Sequence, residues 1–567
     1  MIRSLLVMAF ISYSGIAAAA IPPLKVSAPL GKPEMPVKGT FYRNLSAEPE
    51  NFSPMSSSEY ASRQVYEYAI EGLLTMNPET LEWEPELAEN YEVSKDGLTF
   101  TFNLNKKAKF SDGQPVTAED VKFSIESVRD PAFQASHRMP YYEDVENVTA
   151  VDPATVKIKM KKKYFKNLEV LASGGFTPIL PKHQYGDPKK KWPGAPIVGS
   201  GPYKVETYNR GKNIVLVRDQ NWWAMNENHN TKARAKFERI NFRFIKEENL
   251  EIEMVKKGDI DLMWPIQIEN FEKKAVGEPF GATIKKIQAE NKIPKRYGFI
   301  GWNQVDPNSC TTTDGKRTCK AHPIFGSKET RLALSHLFNR KMLMEKFMYD
   351  KAVEGRAPVY YKSPFLPPDV KPIEFAPDKA KQFLAKAGWA DKDKNGVLER
   401  TVDGKTVEFR FDLLLPNREV EKYFTMFKED LKKAGVEMNI KLIEWNAFAK
   451  LLDEQKFDAV TLAWAGGSPE DDLKQIWHSD SAREGGSNFI SYKNPEVDKL
   501  IDKARQEMNK EKRAKLWQQA VRAIVADAPY TFLFNLKYDL FLVNGRIGFD
   551  KPTYTYDFSH QYWYLTQ

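Results

Sequence analysis

The stretch Ala463–Asp480, AWAGGSPEDDLKQIWHSD, sets a tryptophan and a glycine pair just before three consecutive carboxylates, Glu470, Asp471 and Asp472. Carboxylates in a row can share a proton as an acid/base pair, hold a cation, or open a helix where their charge meets the helix dipole. The spacing favours the last reading. Ser468 or Pro469 opens a helix whose first turn holds all three, each worth about 0.3 to 1 kcal/mol at most. The glycine side, Trp464 to Ser468, stays available to a ligand. Catalytic constellations are otherwise missing from the pattern. His137, His183, His229, His322, His336, His478 and His560 are scattered, with no H-E-x-x-H pair and no G-x-S-x-G elbow. His336 falls on an amphipathic pattern and reads as a packed histidine. A secreted hydrolase would need a nucleophile beside a base, and no local candidate exists, so no enzymatic activity is expected.

Metal and redox chemistry are weighed the same way. Asp391, Asp393, Asn395 and Gly396 match positions 1, 3, 5 and 6 of a calcium loop, but Val402 stands where the bidentate Glu belongs. A turn is the better reading, and no metal or resident cofactor is expected. Cys310 and Cys319 bracket CTTTDGKRTC, with Asp314-Gly315 as a strong hairpin-turn signal that would bring the two sulfurs together. Only His322 is near enough to join them in a zinc site, so a disulfide is expected. The glycines of VGSGPYKVETYNRGKN run into a strand, and a phosphate-loop motif is absent.

These residues need a scaffold, and 567 residues is enough for two or three domains. A chain with 42% hydrophobic and 28% charged residues folds as an ordinary globular protein. The net charge of +8 is spread by interleaved signs, and the densest basic runs, KMKKKYFK and DPKKKW, read as a solvated strand end and a loop, so no nucleic-acid partner is expected. The opening MIRSLLVMAFISYSGIAAAA has Arg3, an apolar stretch from Leu5 and an Ala18-Ala19-Ala20 cleavage signal. Residues 1–20 therefore read as an export signal cleaved near Ala20. No cysteine follows it, so no lipid anchor is expected.

Along the chain, Leu98, Phe100, Phe102 and Leu104 alternate on one strand face, and Thr117 with Asp120 forms a capping-box start. A helix ending at Gly258 precedes a short strand at DIDLMW. After Trp302 the pattern resets. VEFRFDLLLP, VEMNIKLIEW and FDAVTLAW read as strands, and NREVEKYFTMFKEDLKKAG as a helix between the first two, which suggests a partly parallel, helix-covered α/β sheet.

The segments YEYAIEGLLTMNPETLEWEPELAENYEVSKDGLTFTFNLNKKAKFSDGQPVTAEDVKFSIESV, VGSGPYKVETYNRGKNIVLVRDQNWW and IEWNAFAKLLDEQKFDAVTLAW resemble extracytoplasmic solute-binding proteins of family 5, the oligopeptide- and dipeptide-binding components of ABC importers. The F-x-D-G-x-P-x-T-A-x-D-V-x-x-S run from Phe110 to Ser124 and the G-S-G-P-Y run from Gly199 to Tyr203 are specific, and the order holds over nearly the whole mature chain. The tail SPEDDLKQIWHSDSAREGGSNF resembles the Yej-type branch, associated with larger or modified peptides.

The resemblance implies a two-lobed α/β periplasmic binding protein of class II (cluster C) with an extra small α+β domain and a ligand cleft between the lobes. Lobe I would comprise 21–59, 178–299 and 521–567, the extra domain 60–177, and lobe II 300–520. The partners implied are a peptide and an inner-membrane ABC permease, with the protein a periplasmic monomer. The alternative keeps the fold with a sugar, opine, haem or metal chelate as ligand. By the same resemblance Trp445 and Trp464 match pocket tryptophans and Glu48 lies in the first-lobe segment lining the site. Ala465, Gly467 and Ser468 adjoin the ligand. Gly467 stands where the family's amine-binding aspartate is expected, and Glu470 or Asp471 could supply the missing charge.

Overall fold

The computed structural model describes residues 22–45, 47–49, 53–57, 60–135, 138–189, 197–290, 296–313, 316–465 and 468–566. The expected export signal, the Asp314-Gly315 turn, His137 and Gly467 lie outside the described residues.

Three sheets organise the chain. The first has seven strands in the order 284–290, 538–544, 262–263, 40–45, 239–244, 213–218, 203–209. Its strand Thr40–Leu45 alternates half-buried and buried residues and runs parallel to Arg239–Phe244, burying Phe41 and Phe242. The second has six strands in the order 352–354, 530–536, 296–302, 459–465, 410–415, 437–442. Arg410–Leu415 runs parallel to both of its neighbours, and helix Glu421–Lys433 links it to Glu437–Leu442, the strand-helix-strand alternation expected from the sequence. The inner strand Arg296–Trp302 is buried at every position but the first, as a strand covered on both faces must be.

The third sheet is antiparallel, ordered 88–93, 99–104, 155–160, 145–152. Helix Ala118–Glu126 starts at a reciprocal Thr117/Asp120 capping box and buries Val121 and Ile125. This unit does not have a core of its own: Phe100, Phe102 and Ile158 join Phe41, Phe242 and Trp563 in one continuous apolar cluster, so the extra domain and lobe I are welded together.

Sheet membership departs from the expected lobe limits. Tyr530–Leu536 pairs with Arg296–Trp302 in the lobe II sheet, whereas Tyr538–Asn544 pairs with Ile284–Glu290 in the lobe I sheet. Helix Lys510–Asp527 puts Trp517, Ala520, Val521 and Ile524 into the lobe II core. By sheet membership, the strands of the second sheet are drawn from Arg296 to Leu536, where 300 to 520 is expected for lobe II, and the first sheet takes up the chain again at Tyr538. The sequence hides this because TFLFNLKYDLFLV is one uninterrupted β run with no glycine or proline between its halves. The strands on either side of the two crossings are paired neighbours, Glu290 opposite Tyr538 in the first sheet and Tyr297 opposite Asn535 in the second.

Cys310 and Cys319 form a disulfide, S–S 2.07 Å, closing the small hairpin of strands Thr311–Thr313 and Lys316–Thr318. The Asp391 loop is closed by its own groups: Asp391 Oδ2 accepts from the Gly396 N–H at 3.1 Å and Asp393 Oδ1 from the Asn395 N–H at 3.1 Å, with Gly396 at φ +86°.

Candidate functional site

A cavity of about 1010 Å³ opens between lobe II and the extra domain, and Tyr556 of the C-terminal segment also reaches it. Its lobe II wall starts from the end of strand Ala459–Ala465. Trp464 lies opposite Tyr297 in the ladder, and both line the cavity. The indole stacks on Phe299 (6.2 Å, 14°) and Phe489 (5.8 Å, 25°), and its N–H donates to the Tyr530 hydroxyl at 3.3 Å. Phe299 and Tyr530 stack in turn at 4.0 Å inside the lobe II core. Trp464 is thus a half-buried ring fixed from behind, presenting an aromatic surface to whatever fills the cavity.

The three carboxylates follow, and the structure corrects their expected role. No helix opens at Ser468 or Pro469; the first helical residue is Lys474 in the short helix Lys474–Trp477, whose N–H is met by Asp472 Oδ1 at 2.9 Å. The helix dipole is therefore not what holds the cluster. Two of the three are neutralised by arginines of lobe II. Glu470 takes a two-pronged contact from Arg513, at 2.5 Å from Nε and 2.9 Å from Nη2. Asp472 Oδ2 accepts from Arg505 Nε at 2.9 Å and from the Tyr164 hydroxyl at 2.7 Å.

Asp471 differs from both. It lines the cavity, and no salt bridge or hydrogen bond fixes its carboxylate among the described residues. Burial pushes its pKa up to about 6. Lys166 opposes that rise, and the negative charges of Asp472, Glu470 and Glu169 add to it. Lys166 in turn lies 3.6 Å from Glu169, whose Oε2 is 3.1 Å from the Ser468 hydroxyl. Of the charges acting on Asp471, Lys166 is the one cation and Asp472, Glu470 and Glu169 are the anions, while the wider cavity lining also carries Arg63, Arg296, Lys474 and Arg483.

The remaining expected site residues lie elsewhere. Trp445 opens helix Trp445–Asp453, is 55% exposed, stacks on Phe448 at 5.9 Å and does not line the cavity. Glu48 is used at the hairpin of strands Tyr203–Asn209 and Asn213–Arg218: it accepts from the Tyr208 hydroxyl at 2.5 Å and from the Gly211 N–H at 3.0 Å, and these two bonds hold its carboxyl below its ordinary value. Ala465 ends the Trp464 strand, and Ser468 and Asp471 line the cavity while Glu470 faces Arg513.

Sequence reasoning missed the facing wall, which comes from the extra domain: Tyr141, Tyr164, Lys166, Glu169 and Phe176. KMKKKYFK, read as solvated, is so at Lys159, Lys161, Lys162 and Lys163, whereas Tyr164 and Lys166 are each 7% exposed. The aromatic pair interrupting the lysines was the available signal.

Residues 82–486 match the family described as bacterial extracellular solute-binding proteins, family 5 Middle. The oligopeptide-binding protein AppA of Bacillus subtilis is 26% identical over 518 residues, covering 89% of this chain and 87% of AppA. The probable peptide-binding protein YejA of Agrobacterium fabrum is 25% identical over 470 residues, covering 74% and 73%. Among solved structures, AppA of Bacillus subtilis in complex with a nonapeptide superposes at TM-score 0.77 with 24% identity, covering 94% of this chain and 100% of AppA. NikZ of Campylobacter jejuni in complex with Ni(L-His) superposes at 0.75 with 21% identity, covering 93% and 99%. The two large sheets and the cavity between the lobes are those of a two-lobed binding protein, and the chain belongs to the family 5 extracellular solute-binding proteins.

Proposed function

We propose that the protein is the periplasmic receptor of an ABC importer, that it captures peptides carrying a free amine between its lobes, and that it delivers them to an inner-membrane permease without catalysing any reaction. The observation that carries this reading is Asp471: a carboxylate that lines the same cavity as Trp464 and has no ion-pair partner among the described residues, while its two neighbours are already paired. An ammonium group there would give Asp471 the ion-pair partner that no side chain supplies among the described residues, and Trp464 offers its face to another part of the ligand. A cavity of about 1010 Å³ is at the upper end of ordinary small-ligand sites, roughly 300 to 1,000 Å³, and so has room for several residues. The peptide-binding names of AppA and YejA point the same way. Ligand bridging both walls would add to the stability of the closed form by its differential affinity, and the ligand-filled closed form is the one a permease would read.

The test is retention from a defined mixture. The protein, stripped of ligand by unfolding and refolding, is incubated with a tryptic digest of casein, or with the same digest acetylated at its amines, then desalted and its bound fraction sequenced. Retention of peptides from the free digest and not from the acetylated one supports the reading. Equal retention from both removes Asp471 as an amine site, and retention from neither favours a non-peptide solute such as a sugar, opine, haem or metal chelate.

A further inference from the structure

The two lobes touch through contacts that involve no ligand. From the extra domain, Tyr164 and Phe165 reach across to lobe II. The Tyr164 hydroxyl donates to Asp472 Oδ2 at 2.7 Å, and the Arg505 guanidinium lies 4.2 Å over the Tyr164 ring. The Phe165 N–H donates to the Arg505 carbonyl at 3.0 Å. The Phe165 ring has the Arg513 guanidinium 4.4 Å above it and meets the edge of Trp517 at 6.3 Å. It packs against the lobe I and lobe II cores at once.

The charge arrangement decides what kind of contact this is. Arg505 is paired with Asp472 and Arg513 with Glu470, and all four residues belong to lobe II. These pairs stay intact when the lobes part, so lobe II presents two preformed guanidinium platforms to the aromatic pair. Parting the aromatic pair from Arg505 and Arg513 therefore leaves neither guanidinium without its counter-charge, the event that makes a broken buried ion pair so unfavourable. What Tyr164 and Phe165 lose is guanidinium–ring stacking, one hydroxyl and one backbone hydrogen bond, and apolar contact, and the same seam also loses the Ser468–Glu169 hydrogen bond and the Lys474–Glu143 ion pair, each recoverable on reclosing. The Tyr141 hydroxyl, 3.0 Å from Gln475 Oε1, lies on the same seam.

We propose that Tyr164-Phe165 is a reversible latch that keeps the lobes closed in the absence of ligand, so that solute enters through transient opening and its residence time is set by release of the latch. This rests on the two-lobed reading of the fold and not on the identity of the solute. It makes Arg505 and Arg513 positioning residues for closure, with Asp472 and Glu470 holding them in place.

Small-angle X-ray scattering of the ligand-stripped protein, with its disulfide intact and nothing added, tests the latch. The wild-type protein is expected to have the radius of gyration calculated from the closed structure. Phe165→Ala and Arg505→Met are each expected to shift it to a larger value, with an unchanged far-ultraviolet circular dichroism spectrum. Tyr164→Phe, which removes only the hydroxyl, controls for folding and is expected to shift it less. A stripped wild-type protein as expanded as Phe165→Ala, or folded Phe165→Ala and Arg505→Met proteins both as compact as wild type, would overturn the proposal. Because no solute is added, failure of the peptide reading leaves the scattering result standing, and failure of the latch leaves peptide retention untouched.

Discussion

Replacing Asp471 by Asn keeps the shape of the side chain and removes its charge. If this carboxylate receives the ligand's ammonium group, the variant loses a charge-assisted hydrogen bond, worth about 1.5 to 3 kcal/mol, which is roughly a 10- to 150-fold rise in Kd. Asp471 is half-buried and shares its surroundings with Lys166, so the lower part of that range is expected. The neighbouring change Glu470→Gln should behave in the opposite way. Its partner Arg513 is 7% exposed at the side chain and would be left without a counter-charge. Removing one partner of a buried pair costs about 3 to 5 kcal/mol of stability, here near the lower end because Glu470 is 18% exposed. Its effect on affinity should stay within about threefold. Isothermal titration with a resynthesised peptide retained by the wild-type protein measures both affinities, and thermal unfolding measures both stabilities. An Asp471→Asn protein whose affinity stays within about twofold of wild type refutes the reasoning, as does one that binds the N-acetylated peptide as well as the free one.

Binding should also depend on pH. Burial raises Asp471 to about 6, and a bound ammonium would favour the ionised form, so below about pH 6 binding must first expel a proton. Affinity for the free-amine peptide should therefore fall with a slope approaching one log unit per pH unit, proton release should be visible in buffers of different ionisation enthalpy, and Asp471→Asn should abolish both. In stability the sign is reversed: a carboxyl raised in the folded state binds more protons folded than unfolded, so Asp471's own contribution improves as pH falls from above 6 towards 4. Trp464→Leu should weaken binding about tenfold or more by removing the stacked face, whereas the exposed Trp445→Leu should change it by about twofold at most. Replacing Cys310 and Cys319 by Ser opens a short loop, with a sequence separation of 9, and should lower stability by about 2 to 3 kcal/mol without changing affinity.

Much of the architecture is legible in local pattern. The alternation through Leu98–Leu104, the Thr117/Asp120 capping box and the strand-helix-strand run after Trp302 each form as their period demands. The lobe exchange at Lys537 is not legible, because both halves of that β run look alike and only their partners differ. The site was half readable. Trp464 and Ser468, named by the family resemblance, line the cavity, but which of three adjacent carboxylates is left without an ion-pair partner is not legible. Arg505 lies 33 residues from Asp472, Arg513 43 residues from Glu470, and Tyr164 308 residues from Asp472, so the pairings exist only in the fold. Glu48 and Trp445, named by the family resemblance, sit at the hairpin at Gly211 and at the exposed start of a helix, placements that residue type alone does not give.

The central claim is that the interlobe cavity holds a peptide through its free amine. Native mass spectrometry of the protein purified from the cells that make it, followed by denaturing release and sequencing of whatever is bound, tests it most directly. The account predicts a ladder of peptides of mixed sequence and similar length with unblocked N-termini. A single non-peptide mass, or peptides blocked at the N-terminus, would contradict it.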